Sequence, residues 1–115
     1  MIPWTSNATF RIDRTNPEPA LIVTGRVTVD ASPGLRSMLL DLIRTNPRRG
    51  LVLDLSGVTH IDTSGFAALL EALKYAHENS VWLRLTGIGG QPKRLAEVAQ
   101  LDDIFRAMGS EVQFR

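Results

Sequence analysis

The sequence lacks several features that would mark a specialised class of protein. It has no cysteine in 115 residues, so disulfide bonds and thiolate chemistry are excluded. Its 13 basic and 12 acidic side chains leave a net charge of +1, which gives no general attraction to nucleic acid. No apolar run approaches the ~20 residues that a membrane-spanning helix needs. We therefore expect one soluble domain over residues 1–115, with no membrane span and no direct nucleic-acid binding.

Recognisable catalytic and cofactor signals are also scarce. The two histidines, His60 and His77, are not spaced as a metal pair, and we predict neither a metal nor a cofactor. The run Gly87–Gly90 precedes a predicted helix but lacks the Lys-[Ser/Thr] of a P-loop, which favours a plain turn. No Ser-His-Asp arrangement is supported beyond composition, so an enzyme is the weakest interpretation. The segment Met1–Thr5 lacks the basic region and apolar core of a signal peptide, which predicts a cytoplasmic protein.

Hydrophobic periods along the chain alternate between those of strands and those of helices. Alternating or β-branched runs predict strands at 9–13, 20–25, 51–55, 81–86 and 111–114. Apolar stripes at helical spacing predict helices that start at Ser32-Pro33, after Ser64 and at Gln91-Pro92. The order β-β-α-β-α-β-α-β predicts an α/β fold. It is a small mixed β-sheet packed with helices, in which the first strand is antiparallel.

Turn and cap residues set the predicted boundaries. Asn16–Pro19 predicts the turn of a hairpin between the first two strands. Ser32 is expected to cap the first helix, and Asn46-Pro47 to end it, because the residue before a proline avoids the helical region. Leu51–Leu55 is expected to be a central strand. The side chains expected to pack on it from the second helix are Phe66, Leu69, Leu70 and Leu73.

The most informative stretch joins the strand 51–55 to the second helix. A turn is predicted at Ser56-Gly57, and Asp62-Thr63-Ser64-Gly65 then opens the helix. Backbone N–H groups at a helix N-terminus favour anions, so a hydroxyl there could carry a phosphate, although capping the helix is the commoner role. Asp62 could bond the turn backbone or supply a local negative charge. Gly65 is a poor helix residue, which favours a site that needs an exposed backbone and room for a partner.

This stretch resembles the STAS domain, the fold of bacterial anti-sigma factor antagonists and of the cytosolic tails of sulfate transporters. The matching residues are Leu53–Gly57 followed by Asp62–Gly65, and the resemblance extends over residues 10–114. It implies that Thr63, the first hydroxyl after the aspartate, is the phosphoacceptor, with Ser64 as the less favoured one. The implied partner-binding residues are Asp62, Thr63, Ser64 and Gly65.

The resemblance implies an anti-sigma factor antagonist, which binds an anti-sigma serine/threonine kinase, releases a sigma factor and is not itself an enzyme. Kinase-binding members carry Gly-Glu-[Leu/Ile]-Asp where this chain has Gly25–Thr28, a difference that concerns the partner. The alternative is a cytosolic module of an anion transporter, or a stressosome-like scaffold, with no sigma-factor role. The start at Met1 favours a free-standing protein. We also expect Gly65→Trp to preserve folding and abolish partner binding.

Overall fold

The computed structural model describes residues 8–15, 18–45 and 50–114, which form an alternating series of strands and helices. The strands are β1 (Ala8–Asp13), β2 (Ala20–Val27), β3 (Gly50–Ile61), β4 (Trp82–Ile88) and β5 (Glu111–Phe114). The helices are α1 (Ser32–Thr45), α2 (Thr63–Glu78), α3 (Gly90–Val98) and α4 (Leu101–Ala107). Within these described ranges, no helix is long and apolar enough to cross a membrane.

The five strands form one sheet in which their spatial order follows their order in the chain. β1 is antiparallel to β2, and every other neighbouring pair is parallel. Parallel neighbours need a crossover connection, and α1, α2 and the α3–α4 pair supply the three crossovers. The predicted mixed sheet, with an antiparallel first strand and residues 51–55 at its centre, is confirmed.

One face of the sheet carries the hydrophobic core. On β2, Leu21 and Val23 are fully buried, whereas Ile22 and Thr24 are half-buried, which is the period of a strand with one covered face. The predicted stripe of α2 belongs to the same core. Its buried members are Phe66, Leu69 and Leu73, and Leu70 packs against them partly buried. This packing places the N-terminus of α2 beside the ends of β2 and β3.

β3 is longer than the sequence indicated, and the turn expected at Ser56-Gly57 is wrong. The strand continues to Ile61 and pairs with β2 across two register shifts. Gly57 allows β3 to approach β2 closely, because a Cβ at this position would lie 2.7 Å from Cγ2 of Thr24. β4 pairs with β3 only as far as Asp54. The last residues of β3 therefore extend past β4 and lead into α2.

The starts of α1 and α2 also differ from expectation. α2 begins at Thr63, with Asp62 as its N-cap, and not after Ser64. Ser32 lies within α1, where its hydroxyl donates a 2.8 Å hydrogen bond to the carbonyl oxygen of Thr28. A capping side chain accepts from the helix backbone, so the hydroxyl of Ser32 has a different role from the one predicted.

The predicted third helix consists of two helices. α3 ends at Val98 and α4 begins at Leu101, because Gln100 adopts a left-handed conformation with φ of 54°. Such a residue cannot continue a right-handed helix. The hairpin turn predicted at Asn16–Pro19 lies partly outside the described residues, and the helix end predicted at Asn46-Pro47 lies wholly outside them.

Candidate functional site

The predicted site lies where β3 passes into α2. Asp62 joins the two elements in an extended conformation, with φ of −105° and ψ of −175°. Its backbone N–H donates to the carbonyl oxygen of Val27, the last residue of β2, at 3.2 Å. The site therefore stands at the carboxyl ends of two parallel strands, which is where sites of α/β sheets gather.

The carboxylate of Asp62 caps α2. Its Oδ1 accepts from the backbone N–H of Gly65 at 3.0 Å and from the hydroxyl of Ser64 at 2.6 Å. The Ser64 hydroxyl lowers the pKa of Asp62, and backbone N–H groups of Gly65, Ser64 and Val29 act in the same direction against partial burial. Asp62 is thus a fixed negative charge at the positive end of the helix, where the helix dipole favours it.

The partly buried hydroxyl of Ser64 also contacts a second serine. Its Oγ lies 2.6 Å from Oδ1 of Asp62 and 2.9 Å from Oγ of Ser32, which also contacts the carbonyl oxygen of Thr28 at 2.8 Å. Two hydroxyl protons therefore serve three short contacts, and only two of the contacts can be hydrogen bonds at one time. This chain of contacts ties the start of α2 to the start of α1.

Thr63 has the opposite environment. It is the first residue of α2 and is exposed to solvent, whereas Ser64 beside it is partly buried. Among the residues that the structure describes, no hydrogen-bond partner is found for the hydroxyl of Thr63. The two adjacent hydroxyls thus differ in access, because one faces solvent and the other faces Asp62 and Ser32.

Gly65 is buried, and the expectation that it leaves room for a partner is wrong. A Cβ at this position would lie 2.7 Å from the carbonyl oxygen of Val27 and 2.8 Å from Cγ1 of Ile61. No side chain fits there without moving backbone, so we now expect Gly65→Trp to disrupt the fold and not to preserve it. The glycine allows α2 to approach β2 closely, and the surface that a partner could touch is formed by its neighbours.

A shallow groove of about 350 Å³ opens between α1 and α2 beside Ser64. Its rim includes Val29, whose side chain is 67% exposed although it is apolar. Arg36 on α1 and Glu71 on α2 also line the groove, and their ion pair of 2.7 Å joins the two helices. Apolar and small side chains line the rest of it. They include Pro33, Ala67 and Ala68.

Two residues at the site were missed by sequence reasoning. Ser32 contacts Ser64, and the side-chain amide of Gln91 bonds both backbone polar groups of Ile61. The signal that could have found them is topological, because helices that follow parallel strands all begin at the same edge of the sheet. In the described part of the chain, no cluster of three or more acidic, histidine or cysteine side chains is placed to hold a metal ion.

Comparison with known structures supports the same fold. An anti-sigma factor antagonist from Mycobacterium paratuberculosis superposes with a TM-score of 0.76 at 18% identity, over 90% of this chain and 86% of that one. A Thermotoga maritima protein assigned as an anti-sigma factor antagonist superposes with a TM-score of 0.77 at 15% identity, over 90% of this chain and 85% of that one. The phosphorylated form of the Bacillus cell-fate determinant SpoIIAA superposes with a TM-score of 0.67 at 11% identity, over 93% of this chain and 91% of that one.

At these identities the structural likeness concerns the fold. The sequence itself carries the family assignment, because residues 11–114 match the family model of the STAS domain. That span includes every strand and helix from β2 to β5, together with the junction of β3 and α2. The chain therefore belongs to the STAS domain family.

Proposed function

We propose that this STAS domain is an anti-sigma factor antagonist and that Thr63 is its phosphoacceptor. The observation that carries the proposal is the contrast between two adjacent hydroxyls. Thr63 is exposed at the first position of α2, whereas Ser64 is engaged with Asp62 and Ser32. A kinase needs a hydroxyl that can enter its active site, and only Thr63 offers one without breaking the site's own contacts. A structural relative, SpoIIAA, is known in unphosphorylated and phosphorylated forms.

The position of Asp62 gives a physical reason for the phosphate to act on binding. The carboxylate already accepts from the N–H of Gly65, so the anion position at the helix end is occupied. A phosphate on Thr63 would add about −1.5 to −2 charges beside that carboxylate. The two negative groups would be on adjacent residues and would repel each other, so the phosphate would be directed toward solvent. Phosphorylation would then change the surface that a partner meets and leave the core unaltered.

The groove between α1 and α2 supports a protein partner at this surface. The exposed side chains of Val29 and Ala67 give an apolar patch that gains from being covered. Unphosphorylated, the domain would bind an anti-sigma kinase across Thr63 and this groove, which would free a sigma factor. A phosphate at the edge of an apolar contact must be desolvated, which weakens binding.

In this proposal the chain is a substrate and not an enzyme. The kinase partner would bind Mg-ATP and catalyse phosphoryl transfer, because such catalysis needs positioned metal ions and phosphate-binding groups. The chain contributes the hydroxyl nucleophile of Thr63 and the surface that places it. The switch would operate in the cytoplasm, where ATP and sigma factors are found.

The proposal is tested by mass spectrometry after incubation with the cognate anti-sigma kinase and Mg-ATP. Wild type and Thr63→Ser should gain one phosphate at position 63, and Thr63→Val, which keeps the side-chain shape without the hydroxyl, should gain none. Phosphate on Ser64 alone would contradict the assignment of the acceptor. No phosphate on any variant would contradict the switch and favour the transporter-module or scaffold function.

A further inference from the structure

The side chain of Gln91 is bonded to both backbone polar groups of Ile61, the last residue of β3. The N–H of Ile61 donates to Oε1 of Gln91 at 2.9 Å, and Nε2 of Gln91 donates to the carbonyl oxygen of Ile61 at 2.9 Å. A primary amide offers one acceptor and two donors, so it can reproduce the pattern that a neighbouring strand presents. We call this pair of hydrogen bonds the Gln91–Ile61 clamp.

The clamp lies in the part of β3 that has no neighbouring strand on the β4 side. Pairing between β3 and β4 ends at Asp54, well before Ile61. On its other side β3 is still held by β2, because Val27 is in register with Ile61 and accepts from the N–H of Asp62. Ile61 is buried, and buried backbone groups need partners. The amide of Gln91 replaces the missing strand at the point where the chain enters the site.

The turn before α3 gives Gln91 its direction. Gly90 begins α3 with a φ of 57°, a left-handed conformation that glycine adopts easily. Gln91 follows in the first turn of the helix, and Pro92 after it is buried. The glycine-rich run that precedes α3 therefore places an amide against β3.

We propose that Gln91 is a positioning residue for Thr63, a role that rests on the proposed function of Thr63 as phosphoacceptor. The clamp fixes Ile61 from the α3 side while β2 fixes Asp62 from the other. With both held, the cap of α2 and the first helical residue keep one orientation. Gln91 acts through Ile61 and Asp62, and α3 is thereby joined to the site.

Two substitutions test the clamp. Gln91→Met keeps a long unbranched side chain and removes both hydrogen bonds. Gln91→Glu makes the clamp depend on pH. A protonated carboxyl has one donor and one acceptor and can make both hydrogen bonds, whereas a carboxylate has acceptors only and would face the carbonyl oxygen of Ile61. The pKa of the introduced carboxyl should therefore be raised. The stability deficit of this variant should shrink as the pH falls below that raised value. Gln113→Glu, on the exposed part of β5, is the matched control.

The first readout needs no kinase. By NMR titration, the acid dissociation constant of the carboxyl in Gln91→Glu should be at least tenfold smaller than in Gln113→Glu. In Gln91→Met, amide exchange of Ile61 should accelerate about tenfold or more, and the backbone N–H of Thr63 should lose order on the nanosecond timescale. Equal dissociation constants in the two Glu variants, or unchanged order at Thr63, would overturn the proposal.

The second readout is phosphorylation kinetics on the full chain. Gln91→Met should lower kcat/KM for Thr63 about tenfold, chiefly through KM, while Gln113→Met leaves it unchanged. The kcat/KM of Gln91→Glu should rise toward that of Gln113→Glu as the pH falls. Unchanged kinetics in Gln91→Met, with wild type phosphorylated, would overturn the positioning role. If wild type takes no phosphate, the proposed function fails, and the NMR measurements still decide whether Gln91 orders Thr63.

Discussion

The backbone carbonyl of Val27 and the α-carbon of Gly65 are in such close contact that a Cβ on Gly65 would lie 2.7 Å from the carbonyl oxygen. Real Cβ atoms do not approach backbone oxygen this closely. The same Val27 oxygen accepts from the N–H of Asp62, so it cannot move aside without loosening the cap of α2. The contact explains why a residue with a poor helix propensity lies in the first turn of a helix.

We predict that Gly65→Ala destabilises the protein by about 1–3 kcal/mol, because overpacking against a fixed backbone forces strain. Gly34→Ala is the matched control, since Gly34 also lies in a helix and its Cβ would be 3.4 Å from a carbon of the Phe10 ring. That substitution should be neutral or stabilising by up to about 1 kcal/mol. Urea denaturation of the two variants gives both values, and equal effects would contradict the packing argument.

Substitutions at Thr63 should separate stability from binding. Thr63 is exposed, so Thr63→Ala and Thr63→Glu should unfold within about 0.5 kcal/mol of wild type. Thr63→Glu should bind the kinase partner poorly because it adds negative charge beside Asp62, and Thr63→Ala should bind without being switched off. Thermal unfolding and calorimetric titration are the measurements. A Thr63→Glu variant that binds as tightly as wild type would contradict an electrostatic switch.

Ser32 and Ser64 should be energetically coupled, because their hydroxyl oxygens lie 2.9 Å apart and the direction in which one hydroxyl donates limits the other. We expect Ser64→Ala to cost about 1 kcal/mol through the lost hydrogen bond to Asp62. In a double-mutant cycle with Ser32→Ala, the coupling energy should be about 0.5 kcal/mol or more. Strict additivity in chemical denaturation would show that the 2.9 Å contact between the two oxygens has no energetic role.

Asp62 should make stability depend on pH in the acid range. Its pKa is lowered, chiefly by the Ser64 hydroxyl, from an unfolded value near 3.8. The group therefore contributes stability above that value and loses it as the pH falls through the lower folded pKa. Asp62→Asn should be less stable than wild type at neutral pH, and the difference should shrink below about pH 4.

Two further variants check the origin of this pH dependence. Ser64→Ala removes the main cause of the lowered pKa, so it should weaken the acid dependence due to Asp62. The pKa of Asp13 is also lowered, first by the backbone N–H of Thr15, and its contribution should persist in Asp62→Asn. Denaturation midpoints measured from pH 2.5 to 7 give the comparison. A gap between wild type and Asp62→Asn that does not change with pH would contradict the role assigned to the carboxylate.

Local chemistry explains which parts of the fold were predictable. The apolar residues of α2 recur at helical spacing, and β2 is a β-branched run. These local patterns indicate a helix and a strand independently of the rest of the fold. The order of elements then favoured a mixed sheet, and residues 51–55 were expected at its centre. The turn predicted at Ser56-Gly57 failed because glycine permits close approach as readily as it permits a turn, and only the packing of Thr24 distinguishes the two.

The sequence by itself determined where the candidate site was predicted. Asp62-Thr63-Ser64-Gly65 at the start of an apolar helix pointed to the junction of β3 and α2, because strand, cap and helix signals are encoded within a few residues. Only the tertiary structure decided what each member does. The hydroxyl of Ser64 is directed toward Asp62 and toward Ser32 of another helix, and Gly65 is required because the carbonyl oxygen of Val27 leaves no space for a Cβ. These roles arise from contacts between segments far apart in the chain, and no local pattern contains them.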